Sequence, residues 1–272
     1  MQDCNQYHQQ EQEQSLHLAA HMNNSAACLI ENHKYKTAVN QLNEALKICQ
    51  PYIDRCLPDH SNVQQLSQDD LMLQVGKCMR IPSAPFEVQT FCGTSGDETS
   101  PVNLDGNIET DGAYVYRHPI VIPQKCVSLL LINHDHNSKY SNAINLSLAC
   151  IFNMALAYNL FATELEVQDG LPDVCRQALY KSARLYELAH SILSRHNIPC
   201  GALYLMALVN NLGQNYQMLG QEKQAIKVFR HLLSSLIHLT VNYDCSDIAS
   251  LSGFFRNTFV LMLQEPPCAA AA

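Results

Sequence analysis

The sequence has little charge, and positive charge is the scarcer kind. Charged residues make up 15% of the 272 residues, well below the usual quarter or so. Seventeen lysines and arginines stand against 25 acidic residues, so the formal net charge is -8. Nucleic-acid binding needs clustered basic residues that displace counterions, and attraction to an anionic membrane surface needs them too. The composition therefore argues against both kinds of partner.

Targeting and membrane signals are also missing from the pattern. The N-terminus is polar and lacks the basic-then-apolar order of a signal peptide. The longest apolar stretch, Leu146 to Ala162, is interrupted by Asn153 and Asn159 and is shorter than a membrane span requires. Twelve cysteines are scattered along the chain with no C-x-x-C pair, as expected of small buried hydrophobes. We therefore expect a cytoplasmic or nuclear protein.

No catalytic signature can be found in the sequence. A phosphate-binding loop, a nucleophile elbow, an H-E-x-x-H motif and the kinase motifs are all absent. His134-Asp135-His136 is the one compact cluster of metal-ligand types, and no third ligand is evident nearby. A solvated loop before a helix is the favoured interpretation of that cluster. We predict a protein that is not an enzyme and needs no cofactor, and we keep a metal-dependent activity at this cluster as an alternative.

The sequence does contain a repeat. Between Met206 and Leu239 the spacing L-G-x2-Y…A-x3-F is reproduced. Gly213 and Ala225 are small where two antiparallel helices would touch, and Gly220 can end the first helix in a left-handed conformation. The residues that carry the spacing are Leu212, Gly213, Tyr216, Gly220, Ala225 and Phe229. This segment resembles the tetratricopeptide repeat (TPR), a helix hairpin that stacks into solenoids.

Two further segments follow the same pattern less closely. From about Ala19 to Pro51, Ala26 and Ala38 stand in the Gly213 and Ala225 places, and Pro51 is predicted to stop the second helix. A broken copy begins near Asn153, and its turn contains the sequence Gly-Leu-Pro. Its second helix is predicted to start at about Asp173, with inward-facing residues at helical spacing: Ser182, Tyr186 and Ala189.

The remaining chain divides into a C-terminal helix and an insertion. Ser246 to Leu263 reads as a helix that covers the open end of the stack. Residues 59–139 are predicted to be inserted, as an irregular loop from Asp59 to Gly112 and a small β-hairpin formed by Ala113–Ile122 and Val127–Ile132. The fold prediction is one all-α domain over 1–272: a short right-handed α-solenoid of three TPR-like helix hairpins with a C-terminal capping helix.

Asparagine recurs at one repeat position. Asn24, Asn153 and Asn211 each precede the small residue of a first helix by two positions. An amide carries both a donor and an acceptor, so it can pair with a peptide backbone of any sequence. Resemblance to the family implies that this place faces the concave groove and clamps an extended peptide. The candidate groove residues are Asn24, Asn153, Asn211, Asn23, Asn210 and Gln214.

The leading functional prediction is a module that binds an extended segment of a partner protein in the groove. The family's clamp for a terminal carboxylate uses Lys and Arg on the first helices, and Asn23, Ala27, Asn210 and Gln214 occupy those places here. A strongly acidic tail is therefore not the favoured ligand. The main alternative is a structural assembly subunit in which the insertion fills the groove and the convex surfaces bind partners.

Overall fold

The computed structural model describes residues 2–56, 114–123, 136–169, 173–196, 202–242 and 251–264. These residues are almost entirely helical and contain no strand beyond a single bridging residue, which confirms the all-α class. The helices are α1 (Gln2–Glu31), α2 (Tyr35–Cys56), α3 (His136–Asp169), α4 (Asp173–His196), α5 (Ala202–Met218), α6 (Glu222–Asn242) and α7 (Ser252–Gln264).

Helices that follow one another along the chain pack together. Helices α1 and α2, α3 and α4, and α5 and α6 form pairs, and α2 with α3, α4 with α5 and α6 with α7 join the pairs. One continuous hydrophobic cluster runs through all of them. The segment Asn142–Leu165 of α3 is apolar and long enough to cross a membrane, yet 83% of its apolar 18-residue window is buried inside the protein. That burial is typical of the core helix of a soluble protein.

The turns inside the first and last pairs have the same geometry. Lys34 N–H donates to the Leu29 carbonyl, and Gln221 N–H donates to the Tyr216 carbonyl, at 2.8 Å in both cases. The residue before each donor has a positive φ: 71° at Gly220 and 59° at His33. In each bond the donor lies five residues after the acceptor, which is the bond of a Schellman motif that ends a helix with one left-handed residue. The left-handed conformation predicted for Gly220 is confirmed.

Small residues permit close helix contact where the repeat pattern requires it. A Cβ atom added to Gly213 would lie 2.5 Å from the Phe229 ring, far inside van der Waals contact. Ala26, Ala38 and Ala155 are fully buried at the matching places. The predicted positions therefore do lie at the contacts between paired helices.

Buried polar groups tie the middle helices together. Asn159 on α3 donates to the side-chain oxygen of Asn215 on α5 at 2.6 Å. Asn215 in turn donates to the Ser182 hydroxyl of α4 at 2.8 Å, and that hydroxyl donates to the Ala155 carbonyl at 2.7 Å. Each group finds a partner, as buried polar groups must. Ser182, Tyr186 and Ala189 are fully buried, in agreement with the inward face predicted for α4.

Three boundaries differ from the sequence prediction. Pro51 does not stop α2, which continues to Cys56. Pro51 is exposed, so water can satisfy the carbonyl that loses its helical donor. Helix α3 begins at His136, so residues 136–139 belong to it and not to the insertion. Helix α7 begins at Ser252, and the predicted start at Ser246 lies outside the described residues.

Much of the predicted insertion lies outside the described residues. This applies to the loop from Asp59 to Gly112, to the second hairpin run Val127–Ile132, and to His134. The loop and the hairpin stay predictions. Residues 114–123, from the first hairpin run, are described, and they lie against the helices.

Candidate functional site: a groove occupied by the chain itself

Residues 114–123 cross α7 first and then the first helices of the pairs, in the order α5, α3 and α1. We call this segment the strap, and the surface of α1, α3, α5 and α7 on which it lies the groove. Four asparagines, one from each helix, each pair with both backbone groups of one strap residue, and we call them the rungs. Asn257 of α7 pairs with Tyr114, Asn211 of α5 with Tyr116, Asn153 of α3 with Ile120, and Asn24 of α1 with Ile122.

Each rung makes two hydrogen bonds to the backbone of one residue. Asn153 Oδ1 accepts from the Ile120 N–H at 2.7 Å, and its Nδ2 donates to the Ile120 carbonyl at 2.8 Å. Asn24 does the same with Ile122, at 2.8 Å for both bonds.

The other two rungs repeat this geometry. Both Asn211 distances to Tyr116 are 2.9 Å, and those of Asn257 to Tyr114 are 2.8 and 2.6 Å. The strap is therefore held through its backbone by side chains that act as a neighbouring strand would.

Asparagine suits this task because its side-chain amide has the donor and acceptor of a peptide unit at a matching separation. The rung amides of Asn153, Asn211 and Asn257 are fully buried, so the backbone groups that they meet are shielded from water. A buried backbone N–H or C=O without a partner costs free energy comparable to a lost hydrogen bond. The rungs make burial of an extended segment possible without a β-sheet.

Two further asparagines support the rungs. Asn23 donates to the Ile120 carbonyl at 3.0 Å and accepts from Asn153 Nδ2 at 3.0 Å. Asn210 plays the same part for Tyr114: it donates to that carbonyl at 3.0 Å and accepts from Asn257 Nδ2 at 2.6 Å. The site thus consists of two similar halves, α1 with α3 and α5 with α7.

The register of the strap follows from two lengths. Rungs meet residues 114, 116, 120 and 122, which share one side of an extended chain because that chain has a period of two. Three helix-to-helix steps of about 8–10 Å span about 24–30 Å. Eight residues of extended chain, from Tyr114 to Ile122, cover about 26 Å. Between Tyr114 and Ile122 the strap has four two-residue intervals, whereas the four helices have only three spacings between them. One residue on the rung side therefore has no rung, and it is His118: no asparagine among the described residues pairs with it.

The strap also buries apolar side chains. Tyr116, Ile120 and Ile122 are 5%, 3% and 1% exposed. The Tyr116 ring stacks on Phe254 with 6.0 Å between centroids and meets Phe152 edge-on at 6.4 Å. Burial of such side chains stabilises by about 1.5–3 kcal/mol each relative to exposure. Backbone pairing and side-chain burial thus act together on the same segment.

The Tyr114 ring packs closely against the backbone of helix α7. A Cβ atom added to Gly253 would lie 2.4 Å from the Tyr114 ring, so only glycine permits this approach. The same ring meets Phe254 edge-on at 5.3 Å between centroids. Burial raises the pKa of the Tyr114 hydroxyl to about 12, so this phenol stays neutral across the physiological range.

The bonds between rungs and strap join neutral groups. The only histidine of the strap, His118, has its pKa lowered by burial, and the carboxylate of Glu31 opposes that effect. Neither a side-chain amide nor a peptide unit titrates near neutral pH. The rung bonds themselves should therefore depend little on pH or salt, whereas protonation of the partly buried His118 should weaken the strap's attachment in acid.

Five of the six predicted groove residues contact the strap: Asn24, Asn153, Asn211, Asn23 and Asn210. Gln214 does not. It is 1% exposed, and its Nε2 has no hydrogen-bond partner in the described part of the chain. The groove binds the chain's own insertion here. Binding of a separate protein in it stays a prediction.

One rung was missing from the sequence prediction. Asn257 lies in the predicted C-terminal capping helix, and the residue two positions later is Phe259, not a small one. Phe259 is 58% exposed, whereas Ala26 and Ala155 at that place are fully buried beneath a second helix. A small residue two positions after the asparagine is needed only where a second helix packs on the first, and within the described residues no second helix covers α7. The asparagine itself was therefore the only feature of the sequence that could have indicated this rung.

No metal centre emerges from the described residues. They contain no group of three or more His, Cys, Asp and Glu side chains that could hold a metal. His17 and His21 share the outer side of α1 with Gln14 and Leu18, along a shallow pocket. The predicted His134–His136 cluster lies outside the residues whose side chains are described.

Comparisons with family models, with curated proteins and with solved structures found no match for this chain.

Proposed function

We propose that this chain is a TPR-like assembly subunit without catalytic activity. In this proposal the helix pairs form a short right-handed α-solenoid, and the strap fills the groove in the resting protein. Partner proteins bind the outer surface. The observation that carries the proposal is the set of eight hydrogen bonds through which four asparagines hold four residues of the strap.

Both backbone groups of all four rung-bound strap residues are hydrogen-bonded, and this favours an assembly subunit over a protein with an open peptide groove. A hydrogen bond contributes roughly 0.5–1.5 kcal/mol net, so eight of them make a gross contribution of several kcal/mol before apolar burial is added. Any external segment would have to replace all of these bonds. A groove kept empty for a partner would expose to water the apolar surface that Tyr116, Ile120 and Ile122 now cover, which is unfavourable.

The strap also acts as a brace between the helix pairs. Its ten residues touch the first helix of each pair and α7, so they connect α1 to α7 directly. In a helical stack each repeat otherwise contacts only its neighbours. A brace of this kind would fix the curvature of the stack and make its outer surface rigid, which suits a subunit that presents a fixed shape to partners.

The second helices offer the outer surface. None of the described rungs lies on α2, α4 or α6. Val174 and Tyr180 of α4 are 57% and 46% exposed, and Ile237 of α6 is 52% exposed. Aromatic and aliphatic side chains of this kind supply much of the affinity in protein interfaces. With the low positive charge, we propose protein partners in the cytoplasm or nucleus, and neither nucleic acid nor membrane.

Affinity capture with three baits tests the proposal. The baits are the wild-type chain, an outer-surface variant (Val174→Ser with Tyr180→Ser) and a groove variant (Asn24→Ala). We expect the groove variant to retain the partners of the wild type and the outer-surface variant to lose them. Partners that depend on Asn24 and tolerate the α4 substitutions would contradict an assembly role and favour direct binding in the groove.

A further inference from the structure

We propose that the groove is a peptide-binding site in its own right, selective for an extended segment with large apolar residues at positions 1, 3, 7 and 9, and that the strap is its internal competitor. The inference rests on the proposed function in one respect, that the strap fills the groove in the resting protein. It adds the chemistry of a partner that can take the strap's place.

Recognition of the backbone makes the site general. The rungs contact only N–H and C=O groups of the strap, which every residue except proline possesses. The strap's one internal proline, Pro119, lies on the side of the chain that the rungs do not contact. Any extended segment without proline at the four rung positions can satisfy the same asparagines.

Selectivity comes from the apolar side chains of the segment and from their spacing. Tyr116 and Ile122 are almost fully buried, at positions 3 and 9, and Ile120 at position 7 is buried as well. Tyr114, at position 1, lies against the bare backbone of Gly253. We infer that aromatic residues are preferred at positions 1 and 3, and branched aliphatic residues at positions 7 and 9.

His118, the residue without a rung, determines the spacing in the middle of the motif. Three residues separate positions 3 and 7, because the step from α5 to α3 takes four residues where the other steps take two. A segment shortened by one residue there would present its side chains to the wrong side of the groove in one half. The chain direction is fixed too: the N-terminal end lies on α7 and the C-terminal end on α1.

Competition between the strap and a free segment depends on tethering. The strap is covalently attached, so its effective concentration at the groove is of the order of millimolar. A free peptide of equal affinity therefore binds the wild-type chain weakly. The same peptide should bind strongly once the strap is weakened.

Fluorescence anisotropy with a labelled peptide of residues 112–124 tests this directly. The strap-weakened protein carries Tyr116→Asp and Ile122→Asp, which would place unpaired carboxylates in buried sites and so expel the strap. Its matched control carries Val115→Asp and Val121→Asp, at half-exposed positions of the same strap. We expect the weakened protein to bind the peptide at least tenfold more tightly than the wild type or the control.

Specificity is tested on the peptide and on the protein. A peptide that lacks Pro119, and so has the shorter spacing, should lose at least tenfold in affinity. Asn211→Ala, added to the weakened protein, should reduce binding of the intact peptide by a similar factor. Equal binding of the two peptides would overturn the motif, and binding insensitive to Asn211 would place the peptide elsewhere.

A variant that unfolds still gives an answer. If the weakened protein loses helical circular dichroism, saturating peptide should restore it by mass action. The milder Ile122→Ala protein should then show a peptide-dependent rise in melting temperature larger than that of the wild type. No binding to a folded variant, or no recovery of an unfolded one, would overturn the inference. The assembly function would survive that result, because it requires only that the strap stay bound.

Discussion

Replacing Asn153 with alanine removes the rung at the centre of the site. Asn153→Ala would leave the Ile120 N–H and the Asn23 side-chain oxygen without partners in a place that water does not reach. The Ile120 carbonyl would keep its bond from Asn23. A buried polar group without a partner costs about 1–3 kcal/mol, and alanine regains less than about 1 kcal/mol through helix propensity. We expect the free energy of unfolding to fall by about 2–4 kcal/mol.

Urea unfolding followed by far-ultraviolet circular dichroism measures this change. The matched control is Asn40→Ala, the same substitution at an exposed position of α2. Asn40→Ala should leave stability unchanged or raise it by a few tenths of a kcal/mol, since alanine is the better helix former. Equal stability of the two variants, within about 0.5 kcal/mol, would refute the claim that the rungs hold a buried strap.

Three further predictions concern other parts of the molecule. Gly253→Ala should cost about 1–3 kcal/mol, because the new methyl group would overlap the Tyr114 ring, and Tyr114→Ala in the same chain should relieve most of that cost; additive effects would contradict the contact. Gln214→Met should raise the melting temperature, because it removes a buried donor that has no partner; a lower melting temperature would mean that the amide is satisfied. Burial and the neighbouring His231 lower the pKa of His190 to about 4, so the folded state resists protonation and stability, fully present above about pH 6.5, falls as the pH drops from there towards 4. The loss should be about 2 kcal/mol near pH 5, and His190→Gln should remove most of it in acid titrations of unfolding free energy.

The helix pairs were largely predictable because their signals are local. A glycine at a single position can indicate a steric requirement. Gly213 indicates a close contact between helices, and Gly220 indicates a left-handed residue. His33 takes the left-handed place in the first pair without being glycine, and no local pattern predicts that conformation for it. The end of α2 was placed wrongly because a proline near the end of a helix, on its exposed side, costs less than one in its interior.

The strap's partners could not be found from local pattern. A β-rich run such as Ala113–Ile122 indicates an extended backbone, and a neighbouring strand is its usual partner. Here the partners are side-chain amides, separated along the chain by 33 residues for Asn153 and 143 for Asn257. The periodic asparagines indicated a surface that binds an extended chain, and they could not say whose chain it is. That answer depends on how the insertion folds back, which is a tertiary property.

Residue-resolved amide hydrogen exchange of the strap tests the central claim most directly. Extended backbone directs successive N–H groups to opposite sides, so the rungs meet Tyr114, Tyr116, Ile120 and Ile122 and the amides between them point away. We predict that these four amides exchange at least about tenfold more slowly than the amide of Val121, since each must be released from its rung before exchange. Uniformly fast exchange across residues 114–123 would show that the strap does not occupy the groove.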